Sequence, residues 1–142
     1  MITIALVDDE NSIRTSVSLA LESEGFKVDV FNNGLDALAA LETKHYDLGL
    51  FDIKMPKMDG NELLSKVRSS KSETLKKMPV IFLTSKDQEQ DEIIGLRMGA
   101  ADYITKPFSQ KLLNERIRTV LRVYQNRKND NSFSAETKKN YI

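Results

Sequence analysis

Five short strand-like segments, each followed by a segment whose apolar residues recur at helical spacing, constrain the fold of this chain most strongly. Apolar runs lie at residues 2–7, 48–51 and 79–83, an alternating segment lies at 27–31, and a short fifth segment lies at 102–105. Short apolar runs that end at polar or turn residues are typical of buried strands. Because each strand-like segment precedes a helical segment, the pattern predicts an α/β fold with a parallel five-stranded sheet and helices on both of its faces.

Five helices are predicted between and after these strands, at about 12–24, 35–44, 61–70, 88–98 and 109–124. A polar loop at 69–74 follows the third helix. The fourth helix has Ile93, Ile94 and Leu96 as its apolar positions, and Gly99 closes it.

Composition excludes several classes of function. The 142-residue chain has no cysteine, which rules out disulfides, thiolate zinc sites and thiol nucleophiles. Basic and acidic residues number 21 each, which argues against a strong electrostatic footprint for nucleic acid. No apolar stretch approaches the ~20 residues of a membrane span, so we expect a soluble, cytoplasmic protein that does not contact the membrane.

The last residues differ in composition from the rest. Residues 1–125 suit one domain, whereas 126–142 are rich in Asn, Ser and Lys and are interpreted as a linker. Apolar character returns at Tyr141 and Ile142. We therefore expect a further domain to begin there in a longer parent protein.

Polar residues that could bind a metal or take part in a reaction follow four of the predicted strands. Asp8 and Asp9 follow the first strand, Asp52 the third, Thr84 the fourth and Lys106 the fifth. In the flavodoxin-like strand order 2-1-3-4-5, strands one and three are neighbours, and ligands bind at the carboxyl ends of the strands. The three carboxylates are therefore expected to converge in one cleft.

Converging carboxylates need a compensating cation, since like charges this close disfavour ionisation. Hard oxygen ligands suit Mg²⁺, and Lys106 supplies a further positive charge. The chain has no Gly-rich phosphate loop, so Asp52 is interpreted as a metal ligand or a phosphoacceptor. Each residue alone has an ordinary explanation, as a helix cap, a turn residue or part of a rigid Lys106-Pro107 loop; their joint order favours a site.

These residues lie in segments that resemble the receiver domain of two-component response regulators, over about residues 1–125. The resemblance rests on ALVDDE at 5–10, FDIKMPKMDG at 51–60, LTS at 83–85 and GAADYITKPF at 99–108. The ending DYITKPF is similar to the OmpR/PhoB-type transcription factors. The segments FDIKMP and IFLTSKD are most similar to ChvI-like regulators of alphaproteobacteria.

The resemblance implies a (βα)5 receiver fold and a role for each site residue. Asp52 would be the phosphoacceptor for the phosphohistidine of a sensor histidine kinase. The implied Mg²⁺ ligands are Asp9, Asp52 and the backbone carbonyl of Lys54, with Asp8 holding a metal-bound water. Lys106 and the Thr84 hydroxyl would contact the phosphoryl oxygens, and the Lys106-Pro107 bond would be cis.

The resemblance also implies a switch. Thr84 would move toward the phosphoryl group, the ring of Tyr103 would turn inward, and the fourth helix, fifth strand and fifth helix would form a symmetric homodimer. The charged residues expected on that dimer face are Arg97, Asp102, Glu115, Arg116, Arg118 and Arg122. The family usually has two acids before the aromatic residue. Ala101 replaces the first, so one pair across the dimer is expected to be absent.

Partners and output follow from the same resemblance. The kinase would dock on the first helix and the loop after the fifth strand, with Ile13, Arg14, Val17 and Phe108 as candidates against an alternative of ordinary helix packing. A winged-helix domain after residue 142 would bind DNA, which this chain alone would not bind specifically. A stand-alone receiver that relays phosphate or binds a protein is the alternative.

An enzyme of the aspartyl-phosphate phosphohydrolase class is disfavoured. Those enzymes need an acid two residues after the nucleophile, and Lys54 occupies that position. Only self-phosphorylation and slow self-dephosphorylation are therefore expected.

Overall fold

Five parallel strands form the central sheet, in the order β2-β1-β3-β4-β5. The computed structural model describes residues 1–85 and 87–133. The strands are β1 (Thr3–Val7), β2 (Lys27–Phe31), β3 (Leu48–Asp52), β4 (Val80–Thr84) and β5 (Asp102–Thr105). The predicted fold class and strand order are confirmed.

Six helices accompany the sheet in the described part of the chain. They are α1 (Asn11–Ser23), α2 (Gly34–Thr43), α3 (Gly60–Arg68), α4 (Glu73–Lys76), α5 (Glu89–Arg97) and α6 (Gln110–Phe133). The fourth and fifth predicted helices are therefore α5 and α6. None of the helices in these described residues combines the length and apolar content needed to cross a membrane.

Two of the predicted boundaries are wrong. The polar loop expected at 69–74 contains the start of α4, where the Ser72 hydroxyl accepts a hydrogen bond from the Leu75 amide and so caps the helix. Helix α6 continues past Tyr124 to Phe133, so the first residues interpreted as a linker are helical. The rest of that segment, 134–142, lies outside the described residues.

The sheet separates two apolar clusters because successive side chains of a strand point to opposite faces. Leu48 and Leu50 of β3 lie in the cluster beneath α1 and α6, whereas Phe51 lies in the cluster beneath α2 and α3. All five residues of β3 are buried. This central strand carries Asp52 at its carboxyl end.

Helix α5 approaches the sheet closely at Gly95. Gly95 is its one buried residue, and a side-chain carbon there would overlap the ring of Phe82. Ile93, Ile94 and Leu96, the predicted apolar positions, remain 38%, 47% and 45% exposed. Unlike the other long helices, α5 therefore buries little apolar side-chain surface.

Arg68 anchors the chain at the carboxyl end of α5. Its guanidinium donates to the carbonyls of Lys76 at 3.1 Å, Met78 at 2.8 Å and Gly99 at 2.8 Å. Gly99, which follows α5, has a φ of 95°, a conformation that other residues rarely adopt. Burial lowers the pKa of Arg68. The planar fork of this side chain thus ties α3, the segment before β4 and the end of α5 together.

We predict that Gly95→Ala destabilises the protein. Alanine favours a helix by about 1 kcal/mol over glycine, but overpacking against a fully buried ring costs up to about 3 kcal/mol. The overlap with Phe82 therefore dominates, and the free energy of unfolding should fall by about 2 kcal/mol in urea titrations. Gln90→Ala, at an exposed position of the same helix, is the matched control and should change it by less than about 0.5 kcal/mol. An equal or higher stability of Gly95→Ala would contradict this packing.

Candidate functional site

Three carboxylates meet where β1 and β3 end. One oxygen from each of Asp8, Asp9 and Asp52 lies within 4.8 Å of the others. Asp8 is completely buried, Asp52 is 5% exposed, and Asp9 is exposed. The three carboxylates converge as the sequence predicts, and the site has two buried acids at its base and one acid open to solvent.

Lys106 lies above these acids, directly after β5. Its ammonium donates to Asp8 Oδ2 at 3.0 Å, to Asp52 Oδ1 at 3.3 Å and to Glu10 Oε1 at 3.4 Å. The Lys106-Pro107 peptide bond is cis, as expected. Burial lowers the pKa of Lys106, but its hydrogen bond to Asp8 and the charges of Asp52, Asp8 and Glu10 outweigh burial and raise it overall. The amine therefore stays charged at neutral pH.

The charge of the site is only partly balanced. Burial raises the pKa of Asp52 to about 7, the charge of Asp8 adds to the effect, and Lys106 opposes both. A second cation would complete the compensation. Carboxylate oxygens at this spacing are the ligands that Mg²⁺ prefers, so the residues present fit that ion.

A cleft of about 360 Å³ opens beside the carboxylates. It is lined by Asp9, Ile53, Lys54, Met55, Pro56, Asp59 and Asp91. Lys54 and Asp9 both line this cleft, and the role of the Lys54 carbonyl as a metal ligand stays a prediction. Gly60 closes the loop after β3: its amide donates to the Ile53 carbonyl at 2.7 Å, and a side-chain carbon there would overlap the backbone of Asp52.

The backbone after β1 is held by α1. Arg14 donates to the Asp8 carbonyl at 2.7 Å, and the Glu10 amide donates to Asp8 Oδ1 at 2.9 Å. The candidate kinase-docking residue Val17 is only 4% exposed and packs in the core, so it offers no docking surface. Ile13 and Phe108 are partly buried against the same core.

Thr84 and Tyr103 lie on the α5 side of the sheet. Phe82 is paired in register with Tyr103, and Thr84 follows Phe82 by two residues, so the three side chains share a face. Thr84 is completely buried, and its hydroxyl donates to Glu92 Oε1 of α5 at 2.7 Å. Tyr103 is 38% exposed, so its ring lies at the surface.

Sequence reasoning missed two participants. Glu10, the third acid of the run after β1, contacts Lys106; its place beside Asp8 and Asp9 was the available signal. Glu92 contacts Thr84 eight residues earlier in the chain. Acids in the first turn of a helix are explained by the helix dipole, so the sequence offered no signal for that contact.

The charged residues expected on one dimer face divide between two flanks of α6. Arg116 pairs with Asp102 of β5 at 2.8 Å. Arg118 instead pairs with Glu24 at 3.1 Å and lies 5.0 Å from the ring centroid of Phe26. It therefore faces α1 and not β5. Three others are exposed: Arg97, Glu115 and Arg122.

We predict that the stability of the metal-free protein falls as the pH rises from about 4 to 7. In this window folded Asp52, with its pKa of about 7, retains a proton that the unfolded chain has released, so the folded state binds more protons. Asp52→Asn should remove this slope. The raised pKa corresponds to at most about 4 kcal/mol of stability. Since the side chain keeps some contact with solvent, we expect Asp52→Asn to raise the free energy of unfolding by about 2 kcal/mol at pH 7.5.

Urea titrations in chelator at several pH values measure this difference. Glu22→Gln, an exposed acid of α1, is the control and should follow the wild type. Parallel pH profiles for Asp52→Asn and the wild type would mean that Asp52 is not the group whose raised pKa makes stability depend on pH.

Known proteins resemble this chain in sequence. The family described as the response regulator receiver domain matches residues 4–118. The chain is 41% identical over 119 residues to the alkaline phosphatase synthesis transcriptional regulatory protein PhoP of Bacillus subtilis, covering 84% of this chain and 48% of PhoP. It is also 41% identical over 119 residues to the transcriptional regulatory protein PcoR of Escherichia coli, covering 84% and 51%. The chain therefore spans about half the length of these relatives.

Solved structures agree. A CheY-like response regulator receiver domain protein from Methanospirillum hungatei superposes with a TM-score of 0.83 at 32% identity, covering 89% of this chain and 98% of that one. The receiver domain of the sensor histidine kinase PA1611 from Pseudomonas aeruginosa gives 0.76 at 28% identity, covering 84% and 96%. That structure has a magnesium ion coordinated in its active-site cleft.

Proposed function

Because this chain belongs to the receiver domains of two-component response regulators, we propose that it is a phosphorylation-dependent switch whose phosphoacceptor is Asp52. The donor is the phosphohistidine of a sensor histidine kinase. The observation that carries the proposal is the buried Asp52 carboxylate, which lies beside Asp8, Asp9 and the Lys106 ammonium at the ends of adjacent strands.

Each side chain has a task in the transfer. A carboxylate oxygen of Asp52 attacks phosphorus while the bond to the histidine nitrogen breaks. The transition state gathers charge on the phosphoryl oxygens, and catalysis consists mainly of positioning and neutralising that charge. Lys106 supplies one positive charge at the site. Asp9, Asp52 and the Lys54 carbonyl would hold Mg²⁺, with Asp8 holding a metal-bound water, and the ion would supply the remaining neutralisation.

The domain acts as a regulator, and its own catalysis is limited to accepting phosphate and losing it slowly. Lys54 lies two residues after Asp52, where a phosphohydrolase would need a general acid. Release of the phosphoryl group therefore depends on water alone. The lifetime of the modified state sets the duration of the signal.

Output follows from the side of the sheet that carries Thr84 and Tyr103. A hydrogen bond from the Thr84 hydroxyl to the phosphoryl group draws Thr84 toward Asp52. The ring of Tyr103 then turns inward into the space that Thr84 leaves. The altered α5–β5–α6 face then forms a homodimer. Its charge pairs involve Arg97, Glu115, Arg122 and the Asp102–Arg116 pair. Ala101 contributes no charge to it.

The whole protein extends beyond this domain in our proposal. The similar proteins PhoP and PcoR are transcriptional regulators about twice as long as the chain. A winged-helix DNA-binding domain after residue 142 would convert dimerisation into control of transcription, with the end of the chain as the linker. A receiver that acts alone, by phosphorelay or by binding a protein, is the second candidate. The length of the gene's reading frame separates the two.

We predict that incubation with acetyl phosphate and Mg²⁺ adds one phosphoryl group. Asp52 is the acceptor, so Asp52→Asn should gain none, and EDTA should abolish the reaction in the wild type. Intact mass measures the product. Asp59→Asn, which alters an acid of the same cleft outside the carboxylate cluster, is the matched control and should still be modified. Unchanged wild-type mass with metal present would refute the phosphoacceptor assignment.

We also predict that the phosphorylated protein dimerises through the α5–β5–α6 face. Arg97→Glu should weaken the dimer about tenfold or more, because like charges across an interface are costly. Sedimentation velocity over a concentration series measures the change. Lys66→Glu, an equal charge reversal at an exposed position of α3, should leave the dimer dissociation constant unaltered. Equal weakening by both variants would mean that net charge and not this face governs association.

A further inference from the structure

The hydroxyl of Thr84 already has a partner in this structure. It donates to Glu92 Oε1 at 2.7 Å, and Thr84 is completely buried. A threonine hydroxyl has one hydrogen to donate. Thr84 therefore cannot donate to Glu92 and to a phosphoryl oxygen on Asp52 at the same time.

We propose that Glu92 is a positioning residue that holds Thr84 in the unphosphorylated arrangement and competes with the phosphoryl group for its hydroxyl. The inference rests on the proposed function, since it concerns the response of Thr84 to modification of Asp52. Glu92 acts only through Thr84 and does not contact the transferred group. Release of this hydrogen bond is the step that frees α5 from the end of β4.

The local charges favour release after phosphorylation. Glu89, Asp91 and Glu92 all lie in the first turn of α5, and Asp91 lines the cleft beside Asp9. A phosphoryl group adds roughly 1.5 to 2 negative charges at neutral pH. The new charge therefore offers Thr84 a stronger acceptor and repels the acidic turn that carries Glu92.

The packing of α5 permits the movement. Gly95 is the one buried residue of this helix, and its apolar residues remain largely exposed. Displacing the first turn consequently breaks few apolar contacts. The amino end of α5 is held by the Thr84–Glu92 hydrogen bond, whose acceptor is a carboxylate, and by buried Gln88, which accepts from the Ser85 amide at 2.8 Å.

The competition predicts a measurable gain in affinity for a phosphoryl analogue. Beryllofluoride with Mg²⁺ occupies the place of the phosphoryl group on an aspartate, and its apparent affinity rises in proportion to the fraction of molecules whose Thr84 hydroxyl is free. Removal of a charge-assisted competitor should therefore tighten binding. We expect about a tenfold gain for Glu92→Ala and about a threefold gain for Glu92→Gln, which keeps a neutral acceptor oxygen.

The test is a beryllofluoride titration with Mg²⁺, followed by NMR amide shifts, on the wild type and these two variants. Glu89→Gln removes a charge from the same turn without contacting Thr84 and should bind within about twofold of the wild type. Thermal unfolding of each variant reports on any loss of helix stability separately. A merely structural role for Glu92 would lower stability without the graded gain in affinity.

A double-mutant cycle with Thr84→Val isolates the route of the effect. In that background no hydroxyl remains to be held, so Glu92→Ala should keep only the charge effect of about twofold or less that is expected for Glu89→Gln. A tenfold gain that persists without the hydroxyl would show that Glu92 acts by charge alone and would overturn the inference.

The two proposals fail in different ways. If the wild type binds beryllofluoride and Glu92→Ala binds it no more tightly, Glu92 has no such role and Asp52 remains the phosphoacceptor. If the wild type binds none with Mg²⁺ present, the proposed function fails and the role of Glu92 fails with it.

Discussion

The ammonium of Lys106 makes a cluster of buried acids possible, and the rest of the site depends on it. Asp8 and Asp52 have almost no contact with solvent, and a pair of carboxylates in such a place would not both ionise without a nearby positive charge. One lysine cannot balance Asp8, Asp9, Glu10 and Asp52, and burial together with the charge of Asp8 raises the pKa of Asp52 to about 7. An excess of negative charge at the base of an open cleft is the electrostatic condition under which a divalent cation binds.

The sheet also determines which side chains respond together. Asp52 continues the face of Leu50, beneath α1 and α6, whereas Thr84 continues the face of Phe82, beneath α5. The carboxyl edge of the sheet is where these two sides meet. A change of charge at Asp52 can therefore be transmitted across the edge to α5 through one hydroxyl group, without any rearrangement of the buried strands.

Much of this arrangement could be predicted from the sequence, because the strands have simple physical signatures. The apolar run that ends at Asp52 and the bounds of β5 follow from burial and turn residues alone, and parallel strands bring their carboxyl ends together. Helix α5 could not be predicted in the same way. Its apolar residues have helical spacing, yet Gly95 meets Phe82 so closely that the helix buries none of Ile93, Ile94 or Leu96 fully. Close backbone approach depends on tertiary packing, as does the contact of Glu92 with Thr84.

Arg68 determines what kind of movement α5 can make. Its hydrogen bond to the Gly99 carbonyl fixes the chain just beyond the carboxyl end of the helix, while the opposite end is held by the Thr84–Glu92 hydrogen bond and by the turn in which the Ser85 amide donates to Gln88. A rod attached at one end responds to release of the other by tilting about the fixed end. The nine residues of α5 span about 13 Å, so a tilt of about 10° would carry the first turn about 2 Å while leaving Gly99 in place. The Arg68 guanidinium would then be the pivot of α5, and the end of the helix that moves lies beside the carboxylate cluster.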